Sequence, residues 1–354
     1  MTSHRKCTRA LTFEILLLVC EGLEQIHGHT ESGVKYSQGS LEHRQPLSGC
    51  PYHYALIISV AFYKQKFRLF NSDRQPRASA LGRVLREPLL AGYPLENVVA
   101  LTDEEATKEA IEAAIERLRT STSSNCTIFF YFDGAAAEIA TGPEAGYYLC
   151  PYDYDPSDRK GSSITCFTGH GATAGGYLLE TMQNLPAGNV LCCISTCTTD
   201  TLDRDVTVGS PYFREKFFER VHALQGRAIF SGCKMDEPTY TGIFANLIFN
   251  AMAGVREEDS DIDNQFYARM ASDGNAMYSF NLLDFLRRHM HRQIPAEYKS
   301  DPRMHPFLSL SEGDNFVLSR RSHPTRFPME MKKRRAELGM LEVLRGLDVE
   351  QGAK

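Results

Sequence analysis

Several features that would point to a specialised class of protein are missing from this chain. It has 10 cysteines among 354 residues, yet none are spaced as C-x-x-C. Cys126, Cys150, Cys192 and Cys193 lie in apolar, strand-like runs, where a thiol behaves as a small buried hydrophobe. That excludes a disulfide framework and fits reduced thiols in an intracellular protein, cytoplasmic or nuclear. Charge of one sign is also scarce: 39 Lys and Arg face 44 Asp and Glu, a net charge of -5. No broad field exists to attract nucleic acid or a membrane surface, and neither is expected as a partner. The most basic stretch, Met331-Lys332-Lys333-Arg334-Arg335, falls in a charged, helical-looking tail and reads as solvated surface. No apolar run reaches membrane-spanning length. Residues 11–20 follow basic residues, but Glu14 interrupts the run and Glu21 closes it. A short amphipathic helix is expected there rather than a signal peptide. Internal repeats and zinc-type ligand spacings are absent as well.

What is present is a succession of apolar runs. Residues 27–49 are polar and lack an apolar period, so residues 1–49 read as a helix and linker. From Tyr54 the texture changes. Residues 55–60 form a continuous apolar run with β-branched residues, as expected of a strand covered on both faces. Residues 78–90 have helical spacing, ended by Gly92-Tyr93-Pro94, and residues 98–101 read as a second strand. Thr102 with Glu105 forms a capping-box pattern before a helix that carries Ile111, Ile115 and Leu118 on one face. Strands are expected at residues 126–132, 190–194 and 227–231, and helices at 177–182, 213–224, 243–253 and 278–290. This alternation predicts an α/β domain over residues 50–321, with an open, mostly parallel sheet between two helical layers. Residues 322–354 read as a charged helical tail. In such sheets function gathers at the carboxyl ends of strands, here after Phe132 and after Ile194.

An ordered series of motifs then resembles the metacaspase branch of the caspase-like cysteine peptidases. The series opens with Ala55-Leu56-Ile57-Ile58, then Gly92-Tyr93-Pro94 and Leu101-Thr102-Asp103 with Ala106-Thr107. It continues through Phe129-Phe130-Tyr131-Phe132-Asp133-Gly134, Leu149-Cys150-Pro151-Tyr152-Asp153-Tyr154 and Leu185-Pro186-Ala187-Gly188. Cys193-Ile194-Ser195-Thr196-Cys197, Ile229-Phe230-Ser231-Gly232-Cys233 and Pro306-Phe307-Leu308-Ser309 complete it. The resemblance implies a caspase-like three-layer fold and a family role in proteolysis and programmed cell death.

It also implies a cysteine thiolate that attacks a peptide carbonyl while a histidine handles the protons. Cys197 falls on the nucleophile position, with a packed thiol as the alternative, and Ala135 falls on the histidine position. A methyl group neither takes nor gives a proton, and an unperturbed thiol is only a few per cent thiolate at neutral pH. Loss of such a base costs on the order of a thousandfold in rate, so peptidase activity is expected to be impaired. His170, in Thr168-Gly169-His170-Gly171, is the substitute to consider, against the alternative of a solvated loop residue.

The family holds a basic substrate side chain with acids. Here Ser195 stands at one acidic position and Arg77 near another, while Asp133 replaces a serine. Asp153 matches a family calcium ligand and Asp155 and Asp158 lie nearby, but Cys166-Phe167 stands at the paired-aspartate position. Calcium needs six to eight oxygens, so neither calcium nor another cofactor is expected. Three functions compete. One is a non-catalytic caspase-fold protein that binds a peptide or protein, such as an active relative. Another is a divergent cysteine endopeptidase using Cys197 with a base such as His170. The last is a scaffold working through its termini.

Overall fold

A computed structural model of the protein describes residues 51–65, 74–87, 90–139, 141–169, 174–198, 212–232, 243–253, 275–293, 307–309 and 315–320. All of them fall within one compact unit, Ser48–Arg321. The expected terminal helix and tail, His170 and Pro306 lie outside the described residues, as do the side chains of Arg77 and Cys197.

The strands are β1 (His53–Ser59), β2 (Val98–Thr102), β3 (Thr127–Ile139), β4 (Gly146–Leu149), β5 (Ile164–Thr168), β6 (Asn189–Thr198), β7 (Arg227–Ser231), β8 (Ala276–Tyr278), β9 (Phe307–Ser309) and β10 (Val317–Arg320). The longer helices are α1 (Arg74–Arg86), α2 (Lys108–Ser121), α3 (Tyr177–Asn184), α4 (Tyr212–His222), α5 (Ile243–Ala253) and α6 (Ser279–Gln293).

The main sheet has 8 strands, with the path β2-β1-β3-β6-β7-β9. β2, β1, β3, β6 and β7 are mutually parallel, and β9 closes one edge antiparallel. The β4–β5 pair extends antiparallel from the far half of β3, and β8 and β10 form a separate two-stranded sheet. Helices cover both faces: α1, α5 and α6 pack together on one, while α2, α3 and α4 pack on the other. The expected open, mostly parallel sheet between helical layers is therefore what forms. Among the described residues no helix is long and apolar enough to cross a membrane.

Rows of Cα partners across the sheet explain the continuous apolar runs. Leu56, Phe130, Cys192 and Ile229 make one row, and Ile57, Tyr131, Cys193 and Phe230 the next. All eight are buried, because successive side chains alternate between two helical layers and neither face meets water. Ile111, Ile115 and Leu118 are buried on α2 as the helical spacing requires.

Four boundaries differ from the sequence reading. β3 does not end at Phe132 but runs 13 residues to Ile139, and β6 continues past Ile194 to Thr198. The stretch Gly134-Ala135-Ala136-Ala137 has little intrinsic strand preference. It stays extended because β6 pairs with it on one side and β4 on the other. Thr102 and Glu105 close a short turn over Asp103–Glu105 rather than starting the long helix. The cap of α2 is Thr107, whose hydroxyl accepts the Ala110 amide hydrogen at 3.2 Å. Finally, α1 spans Arg74–Arg86 rather than 78–90. Pro88 biases the residue before it away from helical backbone, and the Glu87 carbonyl collects the amides of Leu90, Ala91 and Gly92 instead.

Candidate functional site

Toward the carboxyl ends of the parallel strands the rows turn from apolar to polar. Ile58, Phe132, Ile194 and Ser231 form the last mostly apolar row. The next joins Ser59, Asp133 and Ser195, all buried. The Ser59 hydroxyl has no hydrogen-bond partner among the described residues. A polar row this deep costs free energy wherever a group in it lacks a partner. Two residues further on, Ala135 and Cys197 are Cα partners across β3 and β6, followed by Ala136 and Thr198.

The strands thus bring together Asp133 with Ser195 and Ala135 with Cys197, four of the residues singled out from the sequence. Arg77 lies on α1, whose contacts are with β1, β2 and α5.

Ala135 is fully buried and its backbone is occupied. Its amide donates to the Tyr63 hydroxyl at 2.7 Å. That hydroxyl in turn donates to the Cys150 carbonyl at 3.3 Å. The Cys150 amide donates back to the Ala135 carbonyl at 3.0 Å. Gly134, just before, packs so closely that an added Cβ would lie 3.0 Å from the Tyr63 oxygen and 3.1 Å from the Phe132 ring. Ala135, where the resemblance expects a histidine, therefore lies in a stitched, tightly packed strand rather than on a free strand end.

Tyr63 is itself held from below. Asp103 adopts a positive φ of 41°, a conformation Asp tolerates better than most residues. Its Oδ1 accepts the amides of Ala61 at 2.7 Å and Phe62 at 3.0 Å. Its Oδ2 is buried without a partner among the described residues. The aspartate after β2 thus shapes the loop after β1 that delivers Tyr63 to Ala135. Sequence reading noted Asp103 only as part of a motif and passed over Tyr63. The one local signal was its place just after the first apolar run.

The aspartates considered for calcium are engaged locally. Asp153 accepts the Lys108 amide at 2.8 Å, at the start of α2. Asp155 takes the Ser157 amide and hydroxyl, and Asp158 the Gly161 amide. Cys166 and Phe167 are buried on β5. Among the described residues no group of three or more His, Cys, Asp or Glu is placed to hold a metal. Burial pushes the thiols of Cys150, Cys166, Cys192 and Cys193 well above their ordinary pKa, so each is a protonated packing group rather than a nucleophile.

No family model and no curated protein matches the chain. Among solved structures it is similar to a structural-genomics target protein from Geobacter sulfurreducens, at 12% identity and a TM-score of 0.43, covering 77% of this chain and 98% of that one. It is also similar to caspase-1 from Spodoptera frugiperda, at 14% identity and a TM-score of 0.41, covering 81% and 98%. The pro-form of the Spodoptera caspase-1 gives 14% identity and a TM-score of 0.39, covering 82% and 100%.

Proposed function

We propose that the chain is a metacaspase-like, caspase-domain protein of impaired catalysis that works by binding a peptide or protein segment at the carboxyl ends of β3 and β6. The observation that carries this reading is the register pair Ala135 and Cys197. The position opposite the family's nucleophile carries a methyl group, and proton transfer needs a base within about 3 Å or one bridging water. The motif series supports the family; the lost base supports binding over cleavage.

The same register supports a choice of ligand. In the resemblance, the acid that holds a basic side chain stands two residues before the nucleophile, where this chain has Ser195. The serine two residues before the family histidine is here Asp133. Those two positions are Cα partners, so a carboxylate remains in the same row after crossing from one strand to its neighbour. A segment bearing Lys or Arg is the ligand this carboxylate suits.

The test uses the purified chain. Peptides with internal Lys or Arg should bind, and Asp133→Asn should weaken binding by about tenfold or more, the loss of one charge-assisted contact. Cleavage should stay at the level of Cys197→Ala. Turnover that Cys197→Ala abolishes would sink the reading and favour the divergent endopeptidase, and His170→Ala would then show whether that histidine supplies the base.

A further inference from the structure

The peptide reading leaves one side of the site unassigned, the loop that follows β1. Two hydrogen bonds tie that loop to the site strand. The Val60 amide donates to the Asp133 carbonyl at 2.9 Å, and the Ala135 amide donates to the Tyr63 hydroxyl at 2.7 Å. Phe62 stands between these two tethers, at the β1 side of the row that joins Ser59, Asp133 and Ser195.

Its neighbours are covered and it is not. Val60 and Ala61 are fully buried and Tyr63 is 4% exposed, whereas Phe62 is 39% exposed. A single exposed ring is ordinary on a protein surface. What distinguishes this one is its mount. Asp103 Oδ1 accepts the Phe62 amide at 3.0 Å and the Ala61 amide at 2.7 Å, from a residue held at a φ of 41°. On the other side, the Lys64 amide donates to the Tyr152 carbonyl at 3.0 Å. The backbone is thus fixed before and after Phe62. A contact made by a side chain on a pre-set backbone loses less to ordering than one made on a free loop.

We propose that Phe62 is a specificity-determining residue of the peptide site, taking an apolar side chain of the bound segment close to the Lys or Arg that Asp133 receives. This rests on the peptide reading above and extends it to a second side chain. Phe62 lies two residues beyond Val60, about 7 Å along an extended chain, and the Val60 amide is bonded to Asp133. A bound segment crossing the strand ends covers that span in two or three of its own residues. The ligand class is therefore a basic residue with an aliphatic or aromatic one two or three positions away. The apolar contact takes surface of both partners out of water, a contribution that salt screens far less than it screens the charge on Asp133.

Paired peptides test this on the purified chain. Each carries an internal Arg and either Leu or Ser, placed in turn two and three positions to either side of it. The wild-type chain should bind at least one Leu peptide about tenfold more tightly than its Ser counterpart, the worth of a partly buried Leu. Phe62→Ser should bind that pair alike, at the weaker affinity, and Phe62→Leu should keep most of the preference. Asp133→Asn should weaken both members by the same factor, because the carboxylate meets the basic side chain and not the Leu. Equal affinity for Leu and Ser peptides in the wild-type chain, or a preference that Phe62→Ser retains, overturns the role of Phe62 and leaves the peptide reading standing. Failure of every Arg peptide to bind overturns the peptide reading itself, and this inference with it.

Discussion

The two ends of the central sheet are built on different terms. At the amino-terminal end, His53 is half-buried and its ring contacts the Val317 carbonyl at 2.9 Å and the Tyr93 ring at a centroid distance of 5.2 Å. Tyr93 in turn donates to the Leu318 carbonyl. These contacts fasten β10 to the start of β1, and the apolar rows of Leu56 and Ile57 begin three residues further along the strand. At the carboxyl end the same strands carry Ser59, Asp133, Ser195, Ala135 and Cys197. Two polar atoms there, Ser59 Oγ and Asp103 Oδ2, are buried with no partner among the described residues. Buried polar groups are ordinarily paired, and each one that is not costs free energy. His53 Nδ1 and Ser319 Oγ at the other end are also buried without a partner among the described residues, so the ends differ in the residues their strands carry rather than in that cost.

Removing bulk from the apolar rows should have the largest effect. Phe130→Ala takes a fully packed ring from the middle of the sheet and should destabilise the domain by about 3–5 kcal/mol, read as a lower denaturant midpoint. A cost below about 1 kcal/mol would mean that the row is not the close-packed unit described here. Next comes the loop anchor at the opposite end. Asp103→Ala strands the Ala61 and Phe62 amides and leaves alanine at a positive φ, a loss of about 2–3 kcal/mol. Asp103→Asn keeps the acceptor and should lose about half as much. Equal losses in the two variants would show that the charge rather than the hydrogen-bonding oxygen shapes the loop.

The smallest effect is one of pH, and it contrasts the two ends directly. Burial is the main cause holding His53 below its usual 6.5; the Val317 contact raises it and Arg320 lowers it further. The unfolded chain therefore binds a proton first as pH falls. The stability that His53 contributes is complete above about 6.5 and is lost below it, at up to about 1.4 kcal/mol per pH unit. His53→Gln should flatten that acid limb in thermal melts from pH 7 down to about pH 5. Glu138 runs the other way. Burial raises its folded-state pKa, so its contribution is complete below about 4.5 and is lost as pH rises to about 7. A protein whose stability rises in both directions from the middle would contradict both assignments.

Much of the fold could be read from residues alone because its signals are local. Apolar runs at residues 55–60 and 190–194 announce strands covered on both faces, and Ile111, Ile115 and Leu118 announce a buried helical stripe. The second half of β3 was hidden because Asp133-Gly134-Ala135-Ala136 carries neither bulk nor alternation; its extended form depends on β4 and β6. The site was legible in part. Motif order pointed to Asp133, Ala135, Ser195 and Cys197, while Tyr63 and Asp103 had no pattern that marked them.

By itself the amino-acid sequence determined which segments would be buried, on which faces, and that a methyl group stands where the resemblance expects an imidazole. These follow from side-chain chemistry and from periods of two and 3.6 residues along the chain. Only the tertiary structure decided that Ala135 sits beside Cys197, that Asp133 sits beside Ser195, and that the Tyr63 and Glu138 side chains stitch β3 to distant segments. Such contacts join residues up to 87 positions apart, as for Tyr63 and Cys150. Register and long-range hydrogen bonds are settled when whole elements pack against each other, and no short window of residues contains that choice.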